Sequence, residues 1–180
     1  MKIRAALLNE VGDEISLVSR ARQFAAIKRG IVISLHHDSA QPRFLERGQI
    51  DGKPATFTRY PKAMGYSLFV SGRSVSFAAS EGLARALGAA LRHAGFRPSS
   101  HHADPIQGES RPFLDPKLGV FRYDGLLVLR LARVPAVLFE GGVIANPEEE
   151  LVLEDPDRRA FMVAALANGI AAFCRERGPQ

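Results

Sequence analysis

The run Ile31-Val32-Ile33-Ser34-Leu35 constrains this chain more than any other stretch. Four branched apolar residues with Ser34 as the only polar interruption are the pattern of a central strand buried on both faces of a sheet. Such a strand needs cover from helices. The residues just before it supply one: Ile15 to Arg29 places Leu17, Val18, Ala21, Phe24 and Ala25 at helical spacing, with Asp13 or Ser16 as the cap and Gly30 as the stop.

The same alternation continues along the chain. Ile3 to Leu8 reads as a short strand, Tyr66 to Val70 as another, and Ser74 to His93 as a helix carrying Leu83, Ala86, Leu87, Ala90 and Leu91, ended by Gly95. Leu126 to Arg130 and Ala136 to Phe139 read as two apolar strands, and Asp157 to Arg175 as the last helix. Asn146-Pro147 and Asp155-Pro156 each put a capping side chain before a proline at the first helical position, which makes Glu148-Glu149-Glu150 the first turn of a helix. Residues 39–64 and 98–124 are rich in Pro, Gly and Asp and read as long irregular excursions. Strands separated by helices imply crossover connections, so the expected fold is α/β: a largely parallel twisted sheet with helices on both faces, in a single domain spanning 1–180.

Composition narrows the function. Lys and Arg outnumber Asp and Glu by 24 to 19, a net charge of +5 that suits a polyanionic or cell-wall partner. The basic residues are scattered, and no Trp is present to stack on bases, which argues against nucleic acid. Cys174 is the only cysteine, so neither an intrachain disulfide nor a Cys-x-x-Cys metal knuckle can form. No apolar run reaches the roughly 18 residues of a membrane span, and the first 14 residues lack the apolar core of an export signal. Membrane insertion is therefore not expected.

Chemistry in an open α/β fold gathers at strand ends. One apolar run here ends in His36-His37-Asp38, and another ends in Glu140-Gly141-Gly142. A carboxylate closing a buried strand needs compensation, and the glycines after it let the backbone turn sharply beside a ligand. The competing reading pairs Glu140 with an arginine such as Arg130. Adjacent strand residues face opposite ways, so His36 and His37 are not expected to share one metal. His101-His102-Ala103-Asp104 is a second group of potential ligands, expected to be solvated or substrate-facing in its loop.

In the same segments the sequence resembles the zinc-dependent N-acetylmuramoyl-L-alanine amidases (type 3), which remove the stem peptide from N-acetylmuramic acid in peptidoglycan. Leu17-Val18-Ser19-Arg20 and Ser34-Leu35-His36-His37-Asp38 resemble the family's helix arginine and its Ser-Ile-His-Ala-Asn strand end. Gly65 to Val70, Ser80 with Leu83-Ala84, and Gly119 to Arg130 are similar to successive later segments. The most specific block is Pro135-Ala136-Val137-Leu138-Phe139-Glu140-Gly141-Gly142-Val143-Ile144-Ala145-Asn146, close to the family's Pro-Ala-Val-Leu-Val-Glu-Gly-Gly-Phe-Ile-Ser-Asn.

The resemblance implies Zn2+ as cofactor, His36 as the last of three zinc ligands, Glu140 as the catalytic carboxylate, peptidoglycan as partner and a periplasmic or extracellular site of action. By their position in the second excursion, and not by the resemblance, His102, Glu109 and Arg111 are expected substrate-facing groups. The family's first two ligands, a Gly-His-type histidine and a glutamate, have no counterpart here, so the resemblance implies an N-terminally truncated amidase domain. His101, His102 and Asp104 are then candidates to complete a rearranged site. The alternative is a non-catalytic module that binds cell wall through the old cleft.

Overall fold

A computed structural model describes residues 4–13 and 16–177. The helix α1 (Leu17–Ala26) is capped by Ser16, whose hydroxyl accepts the Ser19 N–H at 3.2 Å. The strands are β1 (Val32–Asp38), β2 (Glu46–Ile50), β3 (Lys53–Phe57), β4 (Ser67–Val70), β5 (Phe113–Asp115), β6 (Val120–Arg122) and β7 (Ala136–Val143). The remaining helices are α2 (Phe77–His93), α3 (Leu127–Leu131), α4 (Pro147–Glu154) and α5 (Pro156–Arg177). Part of the expected first strand, at Ile3, and the expected helix start at Ile15 lie outside the described residues, and residues 4–8 form no strand.

Five strands make the main sheet in the order β1-β7-β4-β6-β5, while β2 and β3 form a separate hairpin. The α/β class holds, but the sheet is mixed and not largely parallel: β1 with β7 and β4 with β6 run parallel, whereas β4 with β7 and β5 with β6 run antiparallel. The reason is in the connections. Only a crossover keeps successive strands parallel, and the link from β1 to β4 is the hairpin excursion, with a single 3-10 turn and no α-helix to carry the chain back.

Three expectations about strands are corrected. Residues 39–64 and 98–124, read as irregular, contain β2 with β3 and β5 with β6. Among the described residues β1 lies at the edge of the sheet and not at its centre, and Leu35 is 65% exposed. An apolar run says nothing about whether a second neighbour exists in the hydrogen-bonding direction, and here its second half also lacks cover on its faces. Leu126 to Arg130 is not a strand; the segment coils into α3, which packs against α1. Periodicity cannot separate a five-residue strand from one helical turn.

β7 divides the core by simple alternation. Val137 and Phe139 face α2 and α5, in a cluster with Leu68, Val70, Leu83 and Leu87. Ala136 and Leu138 face α1 and α3, in a cluster with Ala21, Phe24, Phe69 and Phe121. Ser80 fixes α2 to the start of β7: its hydroxyl accepts the Ala136 N–H at 3.0 Å and donates to the Ser76 carbonyl.

The far end of β7 is tied just as firmly. Asn146 caps α4 by accepting the Glu148 and Glu149 N–H groups and donates to the Ala63 carbonyl at 3.2 Å. The Glu149 carboxylate turns back to accept the Gly65 N–H at 2.7 Å and the Val143 N–H at 3.0 Å. Gly142, at φ +153° and with a Cβ position 3.2 Å from that carboxylate, is where the chain bends toward this anchor.

The contact of α2 with α5 depends on Gly169, where an added Cβ would lie 2.8 Å from Leu87 Cα and 3.0 Å from the Ala86 carbonyl oxygen. Both atoms are backbone and cannot yield cheaply. At Gly82 on α2 the same atom meets only the Phe173 ring, at 3.6 Å. Gly169→Ala is therefore expected to lower unfolding stability by about 1–3 kcal/mol despite its better helix propensity. Gly82→Ala, measured alongside it by urea denaturation, should be neutral or stabilising; equal effects at the two sites would contradict this packing.

Candidate functional site

The parallel register of β1 and β7 sets His36 beside Glu140, and the antiparallel register of β7 and β4 sets Ser67 on the other side of Glu140. All three follow the alternation that faces α1 and α3, so the sheet presents a carboxylate flanked by an imidazole and a hydroxyl on that one face. A pocket of about 290 Å³ opens there, lined by Asp38, Phe69, His102, Glu109, Arg111 and Glu140 among others. Both long excursions reach it, the first through Gln41 and the second through residues 102–111.

Glu140 Oε2 is buried with no hydrogen-bond partner, and so is the neighbouring Ser67 Oγ. Burial pushes the Glu140 carboxyl up to about 7, and the charge of Asp38 adds to this. No arginine pairs with Glu140 among the described residues, which removes the competing sequence reading. Its placement is that of a group poised to exchange a proton near neutral pH.

Asp38 is held by the second excursion. His102 Nε2 donates to Asp38 Oδ2 at 2.7 Å, and His102 Nδ1 donates to Glu109 Oε2 at 2.9 Å. Glu109 also accepts from Gln41 Nε2 at 3.0 Å and from the Arg111 guanidinium. Burial alone would lower the His102 imidazole, but its two carboxylate partners outweigh that and raise it. Burial alone would raise the Asp38 carboxyl, yet the two imidazoles beside it hold it well below the usual carboxylate range. Arg111 lies over the Tyr123 ring at 4.0 Å with its Nε buried and unpartnered.

The structure thus brings Glu140, His102, Glu109 and Arg111 to one pocket. His36 lies apart from the pocket lining, on the exposed end of β1, with its Nε2 2.9 Å from Ser34 Oγ. His101 and His102 are buried, not solvated, and form part of the pocket's support. Asp104 does not join them as a ligand: it accepts from Tyr60 Oη at 2.7 Å and pairs with Lys62 at 2.6 Å, on the side of the hairpin excursion. Asp38 and Gln41 are the members that the sequence reading missed. Asp38 stood next to a singled-out histidine pair, and its contact with a residue 64 positions away is invisible in the chain.

A zinc site of the kind implied by the resemblance needs three protein ligands around an open position. Among the described residues His36 belongs to no set of three donors within coordinating reach. The set that does converge is Asp38, His101 and His102, whose ligand atoms all lie within 4.8 Å of one another. Two imidazoles and one carboxylate are donors of the right chemistry for a divalent transition metal.

Comparison with known proteins agrees with this architecture. No curated protein matches the sequence. Solved structures do: an N-acetylmuramyl-L-alanine amidase from Mycobacterium smegmatis superposes with a TM-score of 0.63 at 19% identity, over 87% of this chain and 59% of its own. An N-acetylmuramoyl-L-alanine amidase from Clostridium difficile 630 gives 0.61 at 18% identity, over 91% and 68%. The catalytic domain of another, from Bacillus (Paenibacillus) polymyxa var. colistinus, gives 0.57 at 20%, over 88% and 65%. These likenesses are of fold, and the chain spans about three fifths of the length of the mycobacterial protein. The family model for N-acetylmuramoyl-L-alanine amidases matches residues 2–172, and with nearly the whole sequence so covered the chain belongs to that family.

Proposed function

We propose that the pocket hydrolyses the amide joining N-acetylmuramic acid to L-alanine in peptidoglycan, with Zn2+ as cofactor. The observation that carries this reading is Glu140: a carboxyl at the end of a buried strand, one oxygen unpartnered, raised to about 7 and lining the pocket. Hydrolysis of an amide needs a group that takes a proton from water and returns it to the leaving amine, and a carboxyl titrating near neutrality does both. Zinc, when bound, supplies polarisation of the scissile carbonyl and a more acidic water.

The other residues have supporting parts. The Arg111 guanidinium, oriented by Glu109 and the Tyr123 ring, lines the pocket as a cation for a carbonyl or carboxylate of the stem peptide. Glu109 and His102 hold each other and Asp38 in place, so their contribution to substrate binding is through the shape of the pocket wall. His36 stands beside Glu140 in register, on the same face of the sheet but outside the pocket lining. Peptidoglycan as substrate puts the site of action outside the cytoplasm, in the periplasm or beyond.

Incubating the zinc-supplemented chain with purified muropeptides should release stem peptides with a free L-alanine amino group, detected by mass spectrometry. Glu140→Ala should slow the release by roughly 10²–10⁴-fold. Products cut elsewhere, or release indifferent to Glu140, would refute the reading.

The raised Glu140 carboxyl also has a consequence for stability in the metal-free protein. Its folded-state value lies above the ordinary 4.5, so its contribution is fully present at low pH and is lost as pH climbs through about 7. Allowing for solvent that reaches the pocket, wild type should lose on the order of 1–2 kcal/mol relative to Glu140→Gln between about pH 4.5 and 8. Denaturant melts of both proteins across that range check the sign: a gap that narrows with rising pH would contradict it.

A further inference from the structure

The structure assigns a divalent-metal site to Asp38, His101 and His102, which joins the end of β1 to the second excursion. This deepens the amidase reading by naming residues that hold its metal, and it rests on that reading only for the identity of the ion.

His101 bears the plainest mark of such a site. Its ring is completely buried, and Nε2 has no hydrogen-bond partner although it lies 3.3 Å from Asp38 Oδ2. The other ring nitrogen is fixed: Ser99 Oγ lies 2.7 Å from His101 Nδ1 and gives its own hydrogen to the Lys62 carbonyl at 2.9 Å. Ser99 therefore accepts from Nδ1–H, and Nε2 is turned to the carboxylate without a hydrogen bond. A buried ring nitrogen left unpartnered beside a buried carboxylate is costly, and a cation bound by both relieves it.

His102 repeats the pattern. Its Nδ1 donates to Glu109, and its Nε2 points at the same Asp38 oxygen from 2.7 Å. Each imidazole is thus oriented through its outer nitrogen by an acceptor, Ser99 or Glu109, and turns the inner nitrogen to Asp38. This is how proteins set histidines that ligate metal. Metal–ligand bonds of roughly 2.0–2.2 Å separate neighbouring ligand atoms by about 3.3 Å. The spacings from Asp38 to the two nitrogens, 3.3 and 2.7 Å, therefore need only a small opening at His102, where the cation replaces the proton now shared with Asp38.

Asp38, His102 and Glu140 all line the pocket, so an ion held by the trio would lie at the wall that Glu140 shares. Two imidazoles and a carboxylate with one open position suit Zn2+, and Co2+ as its spectroscopic substitute.

The test is calorimetric titration of the purified metal-free full chain with Zn2+, together with Co2+ absorption spectra. One ion per chain is expected, with Co2+ ligand-field bands of a low-coordinate N/O site. Asp38→Asn keeps the size and hydrogen-bonding capacity of the residue; it should weaken binding by about a hundredfold or more and abolish the bands, while the metal-free melting temperature reports that it still folds. Ser99→Ala should weaken binding by roughly 10–100-fold. His36→Ala should bind as wild type. No binding by wild type, binding that survives Asp38→Asn, or binding abolished by His36→Ala would overturn the assignment. Metal bound at the trio without muropeptide cleavage would sink the amidase reading and leave this site standing; cleavage without metal at the trio would do the reverse.

Discussion

The structure is organised around a carboxylate that its own strand cannot satisfy. β7 is covered by apolar side chains on both faces, and Glu140 sits in it between two other strands. Burying a charged group without a partner is costly, so the protein leaves it near neutral and gives it a pocket. The neighbouring elements follow from that constraint. β1 and β4 set His36 and Ser67 on either side of Glu140, and the excursions wall the cavity above it.

Holding β7 in register requires anchors at both ends. Ser80 receives the first N–H of the strand, and Glu149 receives the last. The block after Glu140 is accordingly more than a glycine-rich turn. Gly142 lets the chain bend, Asn146 caps α4, and the Glu149 that this helix presents returns to hold both β7 and the residue that precedes β4 by two. What read as a plain acidic first turn contains one carboxylate with a tertiary task.

The second excursion shows a different economy. Before β5 it has little regular structure, yet its polar side chains there form one connected network from Arg111 through Glu109, His102 and Asp38 to the main sheet. Low-dielectric surroundings make each member dependent on the next, because removing one leaves another unsatisfied. A loop can therefore place functional groups as firmly as a strand does, provided its polar groups are mutually saturated.

The α/β class, the positions of α2 and α5, the caps at Asn146 and Asp155, and Glu140 as the group to watch were legible in the chain, because periodicity, capping and strand-end chemistry are local. The edge position of β1, the antiparallel turn of β4 and the helical state of α3 were not, because each depends on which neighbour an apolar run meets. The same division runs through the site. Position in the second excursion marked His102, Glu109 and Arg111, but only tertiary structure brought Asp38 to two histidines more than sixty positions away, left His36 outside their group and sent Asp104 to Tyr60 and Lys62. Side-chain chemistry is written in the sequence; the convergence that makes it a site belongs to the fold.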